Sequence, residues 1–300
     1  MPLDAASQFV NDLVVSGRGD QPAPADPATL RDAWRAMFAA LPPLEVKSGV
    51  QNVEVAGCPA LLLTPPEPTE TILVWLHGGG WVIGAPDLSL GETDALATLA
   101  NTKVLSLDYR MAPEHPFPAA YDDSVAAVQW VFDNAVELGI NPQRVFVGGD
   151  SAGGNLAAAV AQHFGSKLRG QLLVYPAVDL TRVSRAATEY ADGYLLNAAT
   201  MNWFAEQYLN TIDRRDPRIS PMLAEEAVLA AVAPAHVVIA EYDPLRDDGF
   251  DYAETLRQHG VAVSVDHHDD QMHGFFSLPT VLPGAQKAIG TAADFLKSLS

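Results

Sequence analysis

The spacing of apolar residues changes twice along the chain, and each change marks a different kind of element. Over residues 1–43 the repeat is helical: Ala6, Phe9, Val10, Leu13 and Val14 fall on one face of a first helix, and Leu30, Trp34, Met37, Phe38 and Leu41 recur along a second. The link between them reads QPAPADP, which places Asp26 to cap the second helix and Pro27 to open it. From residue 44 the pattern tightens into two β-like runs, 44–55 and 58–63, which meet at Ala56-Gly57 and predict a hairpin. After Pro68, short continuous apolar runs at 72–76, 104–107, 145–147, 172–175, 237–240 and 261–265 are interleaved with helical stretches near 88–100, 119–138, 152–164 and 245–259. A further helix is expected near 284–299. Strands that are apolar on both sides and separated by helices predict a mostly parallel sheet covered on both faces. In such sheets chemistry sits at the carboxyl ends of the strands.

Residues 181–215 break this rhythm. They carry no strand signal, yet they hold Tyr194, Leu195, Leu196, Trp203, Phe204 and Tyr208, and so read as an inserted helical lid packed with the first two helices. The expected organisation is a helical cap made from 1–43 and 181–215, over one α/β core made from 44–180 and 216–300. At 300 residues, 48% hydrophobic and only 18% charged, the chain has the composition of a large buried core rather than of disorder.

A net charge of −19 repels phosphate backbones and anionic membrane surfaces, so nucleic acid and stable membrane association are not expected. The apolar stretch near 227–240 is broken by Pro234 and His236 and falls short of the ~18 residues of a membrane span. Cys58 is the single cysteine, which excludes an intrachain disulfide and a multi-cysteine metal cluster and reads as a buried, inert thiol. No Lys or Arg precedes Arg18, so the basic start of a secretory signal is lacking, and a cytoplasmic location is expected.

The sharpest chemical signal is Gly149-Asp150-Ser151-Ala152-Gly153-Gly154-Asn155, directly after the strand RVFV and directly before an Ala-rich helix. Read as G-x-S-x-G, it is a sharp strand-to-helix turn that exposes a serine hydroxyl at the sheet edge. The helix start behind Ser151 favours developing negative charge. A phosphate-binding turn is the rival reading, but both the Lys-Ser/Thr ending of a P-loop and G-x-G-x-x-G are absent. A second signal, His77-Gly78-Gly79-Gly80-Trp81, follows the strand TILVWL and offers bare backbone amides. Gly79 and Gly80, with the amide of Ala152, are the expected oxyanion donors; Gly78 is read as the turn former and His77 as an anchor of the loop.

A serine hydroxyl needs a base and an acid that orients the base. Among eight histidines, His273 follows the last strand in QMHGFF, whereas His267 and His268 lie too close to the end of that strand. The strand VVIA runs into Glu241-Tyr242-Asp243, and Asp243 falls where the chain leaves the sheet. Glu241 is the alternative acid, while Asp247 and Asp248 are explained by the dipole of the helix they open. The order Ser151, Asp243, His273 is that of α/β-hydrolases. Trp81, Phe275 and Phe276, neighbours of these residues, are candidates to line the substrate pocket. The aromatic residues of the helical segments are read either as pocket lining or as lid packing.

With HGGGW (77–81), DYRMAPEHPFPAA (108–120), GDSAGGN (149–155), DPLRD (243–247) and HGF (273–275) in one order, the chain resembles the bacterial hormone-sensitive-lipase-like esterases over nearly its whole length. The resemblance implies an α/β-hydrolase core with a helical cap, cofactor-free hydrolysis of short to medium acyl esters, a small-molecule ester as partner and a possible homodimer. Met111, and Asp270-Gln271 before the histidine, depart from the family pattern. Arg110, Glu114 and Asp122 are read as charges that lock the 108–120 loop by ion pairing. Two other functions use the same residues: related acyl chemistry such as amide or lactone hydrolysis or acyl transfer, and a non-catalytic small-molecule receptor on the same scaffold, against which His273 counts. Activity is expected to fall on acidification as the base takes up its proton.

Overall fold

A computed structural model describes residues 1–18 and 26–300; residues 21–25 of the proline-rich link lie outside the described residues. In chain order the elements are α1 (Ala5–Arg18), α2 (Pro27–Ala39), β1 (Gly49–Val55), β2 (Cys58–Thr64), β3 (Ile72–Leu76), α3 (Leu90–Ala100), β4 (Lys103–Leu107), α4 (Ala119–Asp133), β5 (Val145–Asp150) and α5 (Ala152–Phe164). They continue with β6 (Gly170–Val174), α6 (Arg185–Glu189), α7 (Ala198–Leu209), α8 (Glu226–Leu229), β7 (Ala235–Tyr242), α9 (Arg246–Gln258), β8 (Val263–Met272) and α10 (Pro283–Leu299).

The strands form an eight-stranded sheet in the order β1-β2-β4-β3-β5-β6-β7-β8, in which β2 runs antiparallel to both of its neighbours, β1 and β4, and all other pairs are parallel. Ala56 (φ 51°) and Gly57 (φ 86°) are both left-handed, the requirement of a two-residue hairpin turn, and Val55 pairs with Cys58 across it. Successive residues of β3 alternate between two cores. Ile72, Val74 and Leu76 belong to the core that α4, α5 and α9 cover, whereas Leu73 and Trp75 belong to the one that α3 and α10 cover. All five are fully buried, which is why this strand reads as an unbroken apolar run.

Residues 181–215 hold α6 and α7, each capped from its own sequence: Ser184 Oγ accepts from Ala187 N at 3.0 Å and Asn197 Oδ1 from Thr200 N at 2.7 Å. Asp26 caps α2 as expected, accepting from Thr29 N at 2.9 Å, with Pro27 at the first helical position. The reading of α1 is corrected at Phe9, whereas Ala6 and Val10 pack on the core and Leu13 and Val14 border a cavity. Phe9 is 70% and Leu13 63% exposed, and the residues buried on that helix are Ser7 and Asn11. Both are hydrogen-bonded, Ser7 Oγ to Gln271 Oε1 (2.9 Å) and Asn11 Nδ2 to Gly193 O (3.0 Å), while Ala6 and Val10 pack half-buried on the core, so the inner face of α1 carries polar as well as apolar contacts.

The 108–120 loop is locked by charges, but with different partners from those expected. Arg110 pairs with Asp123 (2.6 Å), which lies on the buried side of α4, while Asp122 points outward. Glu114 pairs with Arg31 of α2 (2.8 Å), and Arg31 also donates to Val82 O (2.8 Å) and Ala112 O (2.9 Å). One guanidinium thus joins α2 to the loops beside the HGGG segment. Cys58 is buried, and burial pushes its thiol up to about 11.

Candidate active site

The turn from β5 into α5 holds Ser151 at φ 54°, ψ −114°, a conformation that disfavours any side chain and is stable only when its surroundings impose it, at about 1–3 kcal/mol of strain. Two hydrogen bonds do so: Ser151 N donates to Val174 O (2.8 Å), and Asn155 N donates to Ser151 O (2.9 Å). A Cβ on Gly149 or Gly153 would collide with the backbone at Leu76, so the glycines of the motif are required by close approach of the chain. Asn155 is buried and donates to Ala177 O (2.6 Å) and Ile219 O (2.8 Å), which ties the first turn of α5 to the loops beyond β6.

β8 continues to Met272, seven residues beyond the stretch expected as strand, and His273 is the first residue past its end. The pairing of β7 with β8 slips between Ala240 and Tyr242, and Asp243 follows directly. These two strand ends bring Asp243 Oδ2 to 2.7 Å from His273 Nδ1, and His273 Nε2 lies 3.0 Å from Ser151 Oγ. Asp243 is fully buried, and its other oxygen accepts from Leu245 N (2.7 Å). The ring of Tyr175 packs on the imidazole with centroids 4.5 Å apart. Glu241, the alternative acid, turns away, accepting from Arg246 Nη1 (2.6 Å) and Tyr190 OH (3.0 Å) and meeting His267 Nε2 at 2.9 Å. His268 is buried against Asp266 (2.9 Å). Asp247 and Asp248 do more than favour a dipole. Asp247 accepts from Ala186 N (2.8 Å), and Asp248 accepts from Val178 N and Asp179 N (3.2 Å each).

Across from Ser151, the amide of Gly78 donates to Asp150 Oδ1 (2.7 Å). Among the described residues no protein acceptor takes the amides of Gly79, Gly80 or Ala152. Gly79 (φ 114°) and Gly80 (φ 60°) are left-handed, and a Cβ on Gly80 would run into the ring of Phe204. His77 anchors this loop. Its ring is buried, stacks on Tyr109 at 4.3 Å and approaches Gly78 O at 2.8 Å, and burial lowers its pKa to about 4, so it stays neutral. Tyr109 OH donates to His77 O (2.7 Å).

A cavity of about 800 Å³ opens in front of Ser151 and His273, bordered by Leu13, Trp34, Phe38, Leu196, Met201 and Phe204 among others. Trp81 borders it too, at φ 62° with its ring stacked on Tyr208 at 4.6 Å. Phe275 and Phe276 do not border it, and the expectation that they line the pocket is corrected. Both are fully buried below the histidine, Phe276 stacked on Trp75 and Phe275 against Tyr175 and His268. Gly274 (φ 83°) turns the chain back into the core after His273, and the next two side chains follow it inward. Of the aromatic residues expected in the lid, Trp34, Phe38 and Phe204 face the cavity, Tyr208 is buried under Trp81, and Phe9 faces outward.

A family model described as the α/β-hydrolase fold matches residues 73–277. The chain belongs to this family. Curated relatives of this α/β hydrolase include the carboxylic ester hydrolase LipN of Mycobacterium tuberculosis, 41% identical over 87% of this chain and 73% of that protein. Carboxylesterase NlhH of the same organism is 38% identical over 86% of this chain and 83% of its own. Among solved structures, a hyperthermophilic esterase from the archaeon Pyrobaculum calidifontis superposes with a TM-score of 0.90 at 33% identity, covering 99% of both chains. The mostly parallel sheet and the family resemblance expected from the sequence are both borne out.

Two buried acids of this α/β hydrolase escaped the reading of its motifs. Asp150, the variable position of G-x-S-x-G, is pushed up to about 6 by burial, against the opposing pull of the Gly78 amide and of His273. Glu92 of α3 is wholly buried, and burial raises it well above the ordinary range. The signal available in the sequence for Asp150 was its place at the end of an all-buried strand. Among the described residues no group of three His, Cys, Asp or Glu side chains is placed to hold a metal ion, and no helix is long and apolar enough to cross a membrane.

Proposed function

We propose that this α/β hydrolase is a carboxylesterase that cleaves short- to medium-chain acyl esters through an acyl-enzyme on Ser151. In this reading His273 Nε2 accepts the Ser151 proton, and the Asp243 carboxylate holds the imidazole through Nδ1 and offsets the positive charge that forms on it. The serine oxygen attacks the ester carbonyl, and the amides of Gly79, Gly80 and Ala152 receive the oxyanion, each worth roughly 3 kcal/mol of transition-state stabilisation. His273 returns its proton to the departing alcohol, then takes one from the water that attacks the acyl-enzyme and passes it to Ser151 Oγ as the acid leaves. Gly78 stands apart from this set, because its amide already serves Asp150.

The observation that carries the reading is the continuous relay from Asp243 through His273 to Ser151, at 2.7 and 3.0 Å. The family relatives support the ester as substrate. The apolar cavity, bordered by residues from 1–43 and 181–215 acting as a cap over the core of 44–180 and 216–300, supports an acyl chain of modest length. The test is a series of p-nitrophenyl esters of graded acyl length on the parent protein and on Ser151→Ala. The parent is expected to turn over the short and medium members, and the variant to lose at least about 10⁴-fold in kcat. A variant that keeps the parental rate would falsify the mechanism.

A further inference from the structure

Gln271 lies two positions before His273, and the structure shows what its side chain does. It is wholly buried, with its carboxamide against the first turn of α10, where a Cβ on Gly284 would collide with it. Its Oε1 accepts from Ser7 Oγ (2.9 Å), and its Nε2 donates to Asp4 Oδ2 and to Asp270 Oδ1 (3.0 Å). Asp4 in turn caps α1, its Oδ1 accepting from Ala6 N (2.8 Å) and Ser7 N (2.9 Å). The backbone joins in, with Asp4 N donating to Asp270 O (3.1 Å) and Tyr242 OH donating to Met1 O. Further along α1, Leu13 and Val14 border the cavity, and Asn11 holds Gly193 of the inserted segment.

The strand end that presents His273 is therefore bonded side chain to side chain to the start of the helix that walls the cavity. A hydrogen-bonded amide wedged between α1 and α10 has one geometry that satisfies all its partners, since each buried bond left unmade carries a desolvation cost. Shifts of about 1 Å in a catalytic group are enough to change rate by orders of magnitude.

We propose that Gln271, through Asp4 and Ser7, is a positioning residue for His273: it joins α1 to the loop that bears the base, so that the wall of the cavity and the proton acceptor are set together. This rests on His273 being the base for Ser151. Gln271 touches neither substrate nor the reacting atoms.

The test uses Gln271→Glu, which keeps the shape but sets a carboxylate against Asp4 and Asp270, and a double variant that adds Asp4→Asn. Asparagine keeps the Oδ1 cap of α1 and supplies an N–H toward the new carboxylate. Readouts are kcat and KM on an acetate ester at pH 8, the rate at which a fluorophosphonate labels Ser151, and the thermal midpoint. Gln271→Glu is expected to lower kcat and labelling by about tenfold with KM little changed, and Asp4→Asn to restore both to within about threefold of the parent. Ser7→Ala, which removes one bond and buries no charge, is expected to lower kcat about threefold. The proposal is overturned if Gln271→Glu folds and keeps parental kcat, or if Asp4→Asn fails to restore it. Should Gln271→Glu not fold, Ser7→Ala decides, and parental kcat there overturns it. A parent protein that no fluorophosphonate labels would instead overturn the esterase mechanism itself, which separates the two failures.

Discussion

Replacing Asp150 with asparagine removes a buried charge while keeping an oxygen for the Gly78 amide, and its effect on stability has a definite pH signature. Burial moves this carboxyl from 3.8 up to about 6 in the folded protein. A folded-state value above the unfolded one means that the native state holds more protons between those pH values. Stability then falls as pH rises from 3.8 to about 6 and is level outside that window. The size of the displacement corresponds to about 3 kcal/mol. His77 has the opposite sign. Burial brings it from 6.5 down to about 4, so the unfolded chain binds the extra proton there and stability rises with pH across that interval, by a similar amount.

Between pH 4 and 6 these two slopes oppose each other in the parent, and Asp150→Asn removes the falling one. Urea unfolding of both proteins at pH 4, 5, 6 and 7.5 measures the difference, because every other titrating group is shared. The stability of the variant relative to the parent is expected to grow by about 3 kcal/mol from pH 4 to 7.5, equivalent to roughly 5 °C in thermal midpoint for a chain of this size. Over the same range kcat of the variant relative to the parent should fall several-fold, since the bond to Gly78 changes from charge-assisted to neutral and holds the glycine loop, the proposed oxyanion donor, less firmly. Curves that stay parallel within 1 kcal/mol across this range would show that Asp150 does not carry a buried charge at neutral pH.

Two further substitutions separate the glycine loop at 78–80, the proposed oxyanion donor, from the cavity wall. Gly80→Ala places a methyl group against the ring of Phe204 at a left-handed position, so the loop must shift; kcat is expected to drop by about 10²–10³, the loss typical of one missing oxyanion donor, in steady-state assays of the folded variant. Arg31→Ala removes the bonds from α2 to Val82 O, Ala112 O and Glu114, and should raise KM for the longer esters several-fold while leaving kcat on acetate unchanged; a fall in kcat at constant KM would contradict a role limited to holding α2.

The parts of this molecule that could be read in advance are those whose requirements are local. The hairpin at Ala56-Gly57 needs two consecutive left-handed residues, and the turn at Ser151 needs glycines because the strand of Leu76 passes too close for a side chain. Buried parallel strands announce themselves as continuous apolar runs, and parallel topology places their ends together, which is how Asp243 and His273 come to meet Ser151 from 92 and 122 residues away in sequence. The misread residues depended on where the chain turns after an element ends. Phe275 and Phe276 follow a left-handed Gly274 and point into the core, and Asp123 rather than its neighbour Asp122 faces inward because α4 buries positions 120, 121, 123 and 124.

Helix α1 shows why the remaining errors fall together near the site. An apolar periodicity argument assumes that the buried face of a helix is its apolar face; it placed Ala6, Val10, Leu13 and Val14 against core or cavity, as found, but Phe9 with them, which faces outward. The buried positions are Ser7 and Asn11, a polar stripe that such an argument counts as solvent-facing. A polar face is buried only where every group on it finds a partner, and those partners here are Gln271 and Gly193, one beside His273 and the other within the inserted segment. The polar residues on the buried side of α1 therefore make directional contacts. The apolar contacts of Ala6 and Val10 alone would let the helix slide over the core with little change in energy, whereas the bonds of Ser7 and Asn11 hold it in a single register relative to His273.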